Sequence, residues 1–255
     1  MREPFGRQPE KKKAHGVADA LNRLLQNIVL KCAKSDGVRD YFYIGMIGYG
    51  ANVGSSFGGS LAGQTLVPIS AIAHSPLRVE QRARKVKDDA GKVRERKVKF
   101  PIWYEPKASG KTPMCAAFVL ARQYIEIFLA QYPGCYPPLV INITDGLSTD
   151  GAPTSTAQAV QDLESADGKV LVFNLHISAK PNKPIEFPST DAGLVGKYAQ
   201  TLYRISSELP PRLLQAARSE GFPASSGTRG FVFNADLVSL IRFLDVGTRV
   251  ARGGR

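Results

Sequence analysis

Leu139-Val140-Ile141-Asn142-Ile143-Thr144-Asp145-Gly146 is the stretch from which the rest of the chain is read. It follows Pro137-Pro138, is almost wholly apolar, and stops at a carboxylate and a glycine. A short apolar run bounded by turn residues reads as a buried strand, and buried strands belong mostly to parallel sheets covered by helices. Asp145 then stands at the C-terminal end of its strand, which in open α/β sheets faces the ligand crevice.

On the C-terminal side the pattern predicts helix over 156–165, strand over 169–177, helices over 194–205 and 212–219, and a last strand over 230–234. Asp236 is placed to cap a final helix over 237–244. On the N-terminal side, Thr112 reads as the cap and Pro113 as the first residue of a long helix. Ala116, Ala117, Leu120, Ala121, Tyr124, Ile127 and Phe128 would supply its buried face. Alternation of helix and strand implies parallel crossovers and one α/β unit.

Further upstream, Val17, Leu21, Leu24, Leu25, Ile28, Val29 and Cys32 recur at helical spacing. A strand over 41–49 and a glycine-rich loop over 50–63 follow, the loop long enough to serve either as a binding rim or as a flexible entrance to the edge hairpin. Short edge strands are expected over 66–72 and 78–86, with Asp89-Ala90-Gly91 turning into a strand over 93–103. The domain division is a flexible basic segment 1–16, a body 17–247 and a basic tail 248–255.

The net charge of +12 resides in 1–13, 78–99 and 246–255, leaving the remainder neutral. Residues 78–99 read as a solvated hairpin whose basic groups deter edge pairing. The alternative is a nucleic-acid-binding arm carrying Arg82, Arg84, Lys85 and Lys87. Cys32, Cys115 and Cys135 lack metal-ligand spacing. The N-terminus has no signal-peptide pattern, and no run reaches the ~18 apolar residues of a spanning helix, so a cytoplasmic protein with no membrane partner is expected.

Thr112 before a helix and Asp145 after a strand offer hydroxyl and carboxylate oxygens, ligand types that suit Mg2+ or Mn2+. With these come Tyr43-Ile44-Gly45-Met46-Ile47-Gly48-Tyr49, Gly110-Lys111-Thr112-Pro113 and Ile143-Thr144-Asp145-Gly146. In these features, over about 14–247, the chain resembles the von Willebrand factor type A family, particularly its bacterial intracellular members. The resemblance implies a doubly wound, mostly parallel central sheet flanked by helices. It also implies a metal-ion-dependent adhesion site made from an Asp-x-Ser-x-Ser loop, a threonine matching Thr112 and an aspartate matching Asp145. In such a site a protein partner's carboxylate completes the ion's coordination, and intracellular members suggest assembly with a larger, ATPase-associated complex.

The first central strand and its Asp-x-Ser-x-Ser loop are absent from this sequence. The expectation is a truncated N-terminus, with Mg2+ or Mn2+ held in the complete protein and weakly or not at all by this chain. The function expected is a noncatalytic protein-interaction module. A hydrolase using His176 is disfavoured because no Gly-x-Ser-x-Gly elbow is present. Lys111 lacks the glycine pattern of a phosphate loop, while His15 and His74 read as loop residues. Asp150 is a further cation candidate beside the site, with a helix cap as its simpler role.

Overall fold

The computed structural model describes residues 1–5, 8–87, 93–108, 110–178 and 183–248. Strands β1 (Pro4–Phe5) and β2 (Gln8–Lys12) pair antiparallel and lead directly into α1 (Lys13–Cys32). Helical spacing puts Val17, Ala20, Leu25, Ile28 and Cys32 on the buried face of α1. Residues 13–16, including His15, therefore belong to the helix rather than to the segment before it. Strands β3 (Ala33–Lys34) and β4 (Gly37–Val38) close the next turn.

The strand expected over 41–49 is divided. Its first part, β5 (Tyr43–Ile44), pairs with β8 (Val67–Pro68), whereas β6 (Ile47–Tyr49) turns back onto β7 (Val53–Ser55). Two glycines permit this division through close approaches. A Cβ on Gly45 would lie 3.1 Å from the Thr65 carbonyl oxygen, and one on Gly48 would meet Ser56 Oγ at 2.4 Å. The loop over 50–63 consequently holds β7 and a short 3-10 turn, Gly59–Leu61. The strand expected over 66–72 gives way after Pro68 to α2 (Ile69–His74), which places His74 at a helix end.

Strands β9 (Arg78–Lys87) and β10 (Val93–Ile102) form the expected basic hairpin as a separate two-stranded ribbon. The turn expected at Asp89-Ala90-Gly91 lies outside the described residues. Buried Phe100, Ile102 and Trp103 anchor the ribbon's base, and Asn22 Oδ1 accepts from the backbone N–H groups of Trp103 (2.8 Å) and Tyr104 (3.0 Å). Trp103 Nε1 also donates to the Ile72 carbonyl at 2.6 Å.

The remaining elements are α3 (Met114–Gln131), β11 (Leu139–Thr144), α4 (Thr154–Gln161), β12 (Glu164–Ser165), β13 (Gly168–Lys169), β14 (Leu171–Ile177) and β15 (Ile185–Glu186). After these come α5 (Lys197–Arg204), α6 (Pro211–Ser219), β16 (Phe231–Ala235) and α7 (Leu237–Gly247). Asp236 caps α7 as expected, its Oδ1 accepting from Ser239 N at 2.8 Å. The fold is mixed α/β, with seven helices among the described residues.

Its main sheet runs β11-β14-β16-β15, parallel through the first three strands and antiparallel at β15. Among the described residues the stretch expected to be a buried strand has a strand on one side only: Leu139, Val140, Ile141 and Ile143 are half-buried, whereas Val172, Phe173 and Leu175 of β14 are fully enclosed. Apolar composition alone suits either position, because the number of neighbours is decided elsewhere in the chain.

Alternation along the strands feeds two cores. Leu139, Ile141, Ile143, Phe173, Leu175 and Ile177 pack with α1, α6 and α7. Val140, Val172 and Phe231 pack on the other face with α3, α4 and α5. At Gly230 the backbone runs so close to β14 that a Cβ would stand 2.1 Å from the Phe173 ring.

The buried face of α3 comprises Met114, Phe118, Ala121, Tyr124 and Ile125, so the expected face is only partly right. Ile127 is 58% exposed. By length and composition α3 could cross a bilayer, contrary to the expectation that no segment could, but Phe118 and Ile125 pack with Val160 and Val172 in the second core.

Candidate functional site at the strand ends

The C-terminal ends of β11 and β14 bring Thr144, Asp145 and His176 together with Lys13 of α1 and Tyr198 of α5. Beside them lie the loop containing Thr112 and the turn 146–151. These two loops are tied through Thr149, whose N–H donates to the Thr112 carbonyl at 2.9 Å and whose Oγ1 accepts from Thr112 N at 3.0 Å. A Cβ built on Gly146 would lie 3.8 Å from Thr112 Oγ1, so the threonine hydroxyl borders the turn that carries Asp145.

Thr112 does not cap α3. Asp150 does, reaching across from the neighbouring loop: Oδ1 accepts from Cys115 N at 3.1 Å and Oδ2 from Ala116 N at 2.9 Å. Ser148 Oγ donates to the same carboxylate at 2.8 Å. Desolvation is the largest single influence on the Asp150 carboxyl and acts upward. Its hydrogen bonds from Ala116, Cys115 and Ser148 together outweigh it and hold the group below the usual carboxylate range. Asp150 is thus committed to the helix terminus, not left free for a cation.

Gly110 explains why this loop can close against the glycine-rich segment. Its φ is +77°, and a Cβ there would come within 2.3 Å of Ala51 N. Only glycine fits both the left-handed backbone and the close approach. The loop over 50–63 therefore abuts the Thr112 loop.

Asp145 is engaged by ammonium groups. Its Oδ2 pairs with the Met1 amino group and lies 3.7 Å from Lys13 Nζ. Lys13 is 2% exposed, and its Nζ also donates to Glu3 Oε2 at 2.7 Å. Burial and the nearby Lys13 charge lower the pKa of the Met1 amino group. The Glu3 carboxyl is lowered by its hydrogen bond from Lys13.

These residues do not fit a Mg2+ or Mn2+ site as placed. Thr112 supplies one neutral oxygen, and a divalent ion at Asp145 Oδ2 would stand against the Lys13 ammonium. Among the described residues no group of three or more His, Cys, Asp and Glu side chains could hold a metal.

Under the site runs a buried polar column that the sequence reading missed. Asn142 Nδ2 donates to Asn174 Oδ1 at 2.8 Å, Asn174 Nδ2 to Ser206 Oγ at 2.9 Å, and Ser206 Oγ to the Leu202 carbonyl at 2.7 Å. Tyr49 enters the column from outside, its hydroxyl donating to Asn142 Oδ1 and to the Ile143 carbonyl at 2.9 Å. Burial pushes its pKa upward. Tyr198 similarly donates to the Gly146 carbonyl, and burial pushes its phenol to about 12. The usable signal was an asparagine at the same place in each of two apolar runs, since Asn142 and Asn174 stand opposite one another in the parallel register.

His176 stacks on Phe233 at 4.5 Å between centroids and meets Tyr198 edge-on at 5.6 Å. Its Nδ1 faces Asn234 N at 3.4 Å. Burial, reinforced by Lys13, lowers its pKa to about 4, leaving the imidazole neutral near pH 7. No ion pair or hydrogen bond joins it to a carboxylate or nucleophile among the described residues. The comparisons supply no relative for this arrangement: no protein-family model, curated protein or solved structure matches the chain.

Proposed function

We propose that the chain is a noncatalytic protein-interaction module of the von Willebrand factor A type, using the surface around Asp145, Thr112 and the adjoining loops. The observation supporting this reading is the Asp145–Lys13–Glu3 arrangement. Lys13 is buried and held from the inside by Asp145, while Glu3, the carboxylate on its other side, is exposed. An acidic side chain of a partner replaces Glu3 on Lys13. A fixed ammonium then takes the charge role that a divalent ion has in the family the sequence resembles. His176 is neutral and packed between Phe233 and Tyr198, and among the described residues its ring is not hydrogen-bonded to a carboxylate or a hydroxyl.

An oligo-aspartate peptide titrated into the intact chain tests this. Removing the competing charge with Glu3→Gln should tighten binding by about twofold to fivefold, the range of exposed ion pairs. Lys13→Met should abolish binding, while a metal chelator should leave the wild-type affinity unchanged. Equal binding by the wild type and both variants would refute the assignment to Lys13.

A further inference from the structure

The pairing register of the β9–β10 ribbon sorts its cations. Val98 stands opposite Arg82, Arg96 opposite Arg84, and Lys97 opposite Ala83. Strand alternation then gives Arg82, Arg84, Arg94 and Arg96 the register positions of one face, and Lys85, Lys87, Lys97 and Lys99 those of the other. Residues 84–99 hold eight basic and three acidic side chains. At the base, the charges of Arg78 and Arg82 are answered within the protein by Glu80, Glu105 and Asp19. Farther out, Arg96, Lys97 and Lys99 are exposed. At the rise of a strand, Ala83 to Lys87 carry β9 about 17 Å beyond that base.

Composition chooses among anionic partners. A protein interface is built on aromatic and aliphatic anchors and is depleted in lysine. Between Gln81 and Lys99 there is no aromatic residue, and Phe100 is buried at the base. Single-stranded nucleic acid is held by stacking on aromatic rings, which the same stretch lacks. Duplex phosphates require cations alone. A flat anionic surface would meet one basic face of the ribbon, whereas a groove with a phosphate wall on either side meets both. The B-form major groove, about 12 Å wide, admits a two-stranded ribbon about 10 Å thick. The deep, narrow major groove of A-form RNA does not.

We infer that the ribbon lies along the major groove of duplex DNA, its arginine face toward the phosphates of one strand and its lysine face toward those of the other. Base edges then meet the ribbon's backbone rather than its side chains, so binding is independent of sequence. This surface is separate from the Lys13 contact, and either can fail without the other.

Fluorescence anisotropy of a labelled DNA duplex, titrated with the intact chain at several salt concentrations, tests the inference. With about six phosphates neutralised, log affinity should fall against log salt with a slope of about −5, a loss of about a thousandfold between about 50 and about 200 mM. Replacing residues 84–96 by a short turn should weaken binding at least about a hundredfold and reduce the slope to about −2. Arg96→Glu combined with Lys97→Glu and Lys99→Glu reverses exposed charges on both faces and should weaken binding as much, which covers the case of a shortened chain that does not fold. Two duplexes of unrelated sequence should bind within about threefold of each other. No binding at about 50 mM salt, full affinity in either folded variant, or a preference above about tenfold for one sequence would each overturn the inference. So would tighter binding to duplex RNA, single-stranded DNA or polyglutamate.

Discussion

His176 links burial to pH more directly than any other side chain at the strand ends. Its imidazole loses hydration between Phe233 and Tyr198 and lies near the Lys13 charge, so protonation is easier in the unfolded chain than in the folded one. With a folded pKa of about 4 against an ordinary 6.5, its contribution is fully present above pH 6.5 and is lost as pH falls toward 4. The complete loss is about 3 kcal/mol. Urea unfolding at about pH 7.5 and about pH 4.5 should show a smaller pH-dependent loss for His176→Gln than for the wild type. Identical losses would remove His176 as the cause. The sequence revealed the histidine at a strand end, but not the two rings around it, because Tyr198 and Phe233 arrive from α5 and β16.

The N-terminus of α3 is made by residues distant in sequence. Pro113 has no side-chain cap to offer, and Thr112 is occupied through its backbone by Thr149. Asp150 therefore satisfies the first helical N–H groups while fastening the turn beyond β11. Asp150→Ala should destabilise the chain by about 1 kcal/mol, the usual cost of a lost cap, whereas Thr112→Val should cost less. Thermal melts of both variants check the order, and a larger loss for Thr112→Val would return the capping role to Thr112. The helix itself was legible from its apolar periodicity. Its cap was not, because an N-cap side chain is expected locally and this one crosses between loops.

The whole chain separates a sheet-centred body from a basic ribbon. Arg78 and Arg82 at the ribbon's base pair with Glu80, Glu105 and Asp19, and Arg82 lies 4.0 Å over the Phe100 ring. The described ties to the body thus gather near the base, where Phe100, Ile102 and Trp103 are buried. Replacing residues 84–96 by a short turn should change stability by no more than about 0.5 kcal/mol, as for surface changes remote from the core. Urea unfolding measures this, and a loss of several times that size would show the distal ribbon to be part of the folding unit. Net charge alone suggested a nucleic-acid arm, but the paired arginines at the base also explain how the ribbon is held against α1.

The sequence by itself determined the main alternation of helices and strands from 114 to 247, the hairpin and the cap at Asp236. Those features depend on local periodicity and turn chemistry, which short segments carry in full. Only the tertiary structure decided that, among the described residues, Leu139–Thr144 pairs on a single side, that the segment 41–49 divides, and that Lys13 is buried against Asp145. Pairing partners and buried charges depend on groups far apart in the chain, so a strand's composition states that it is apolar without stating how many neighbours it has.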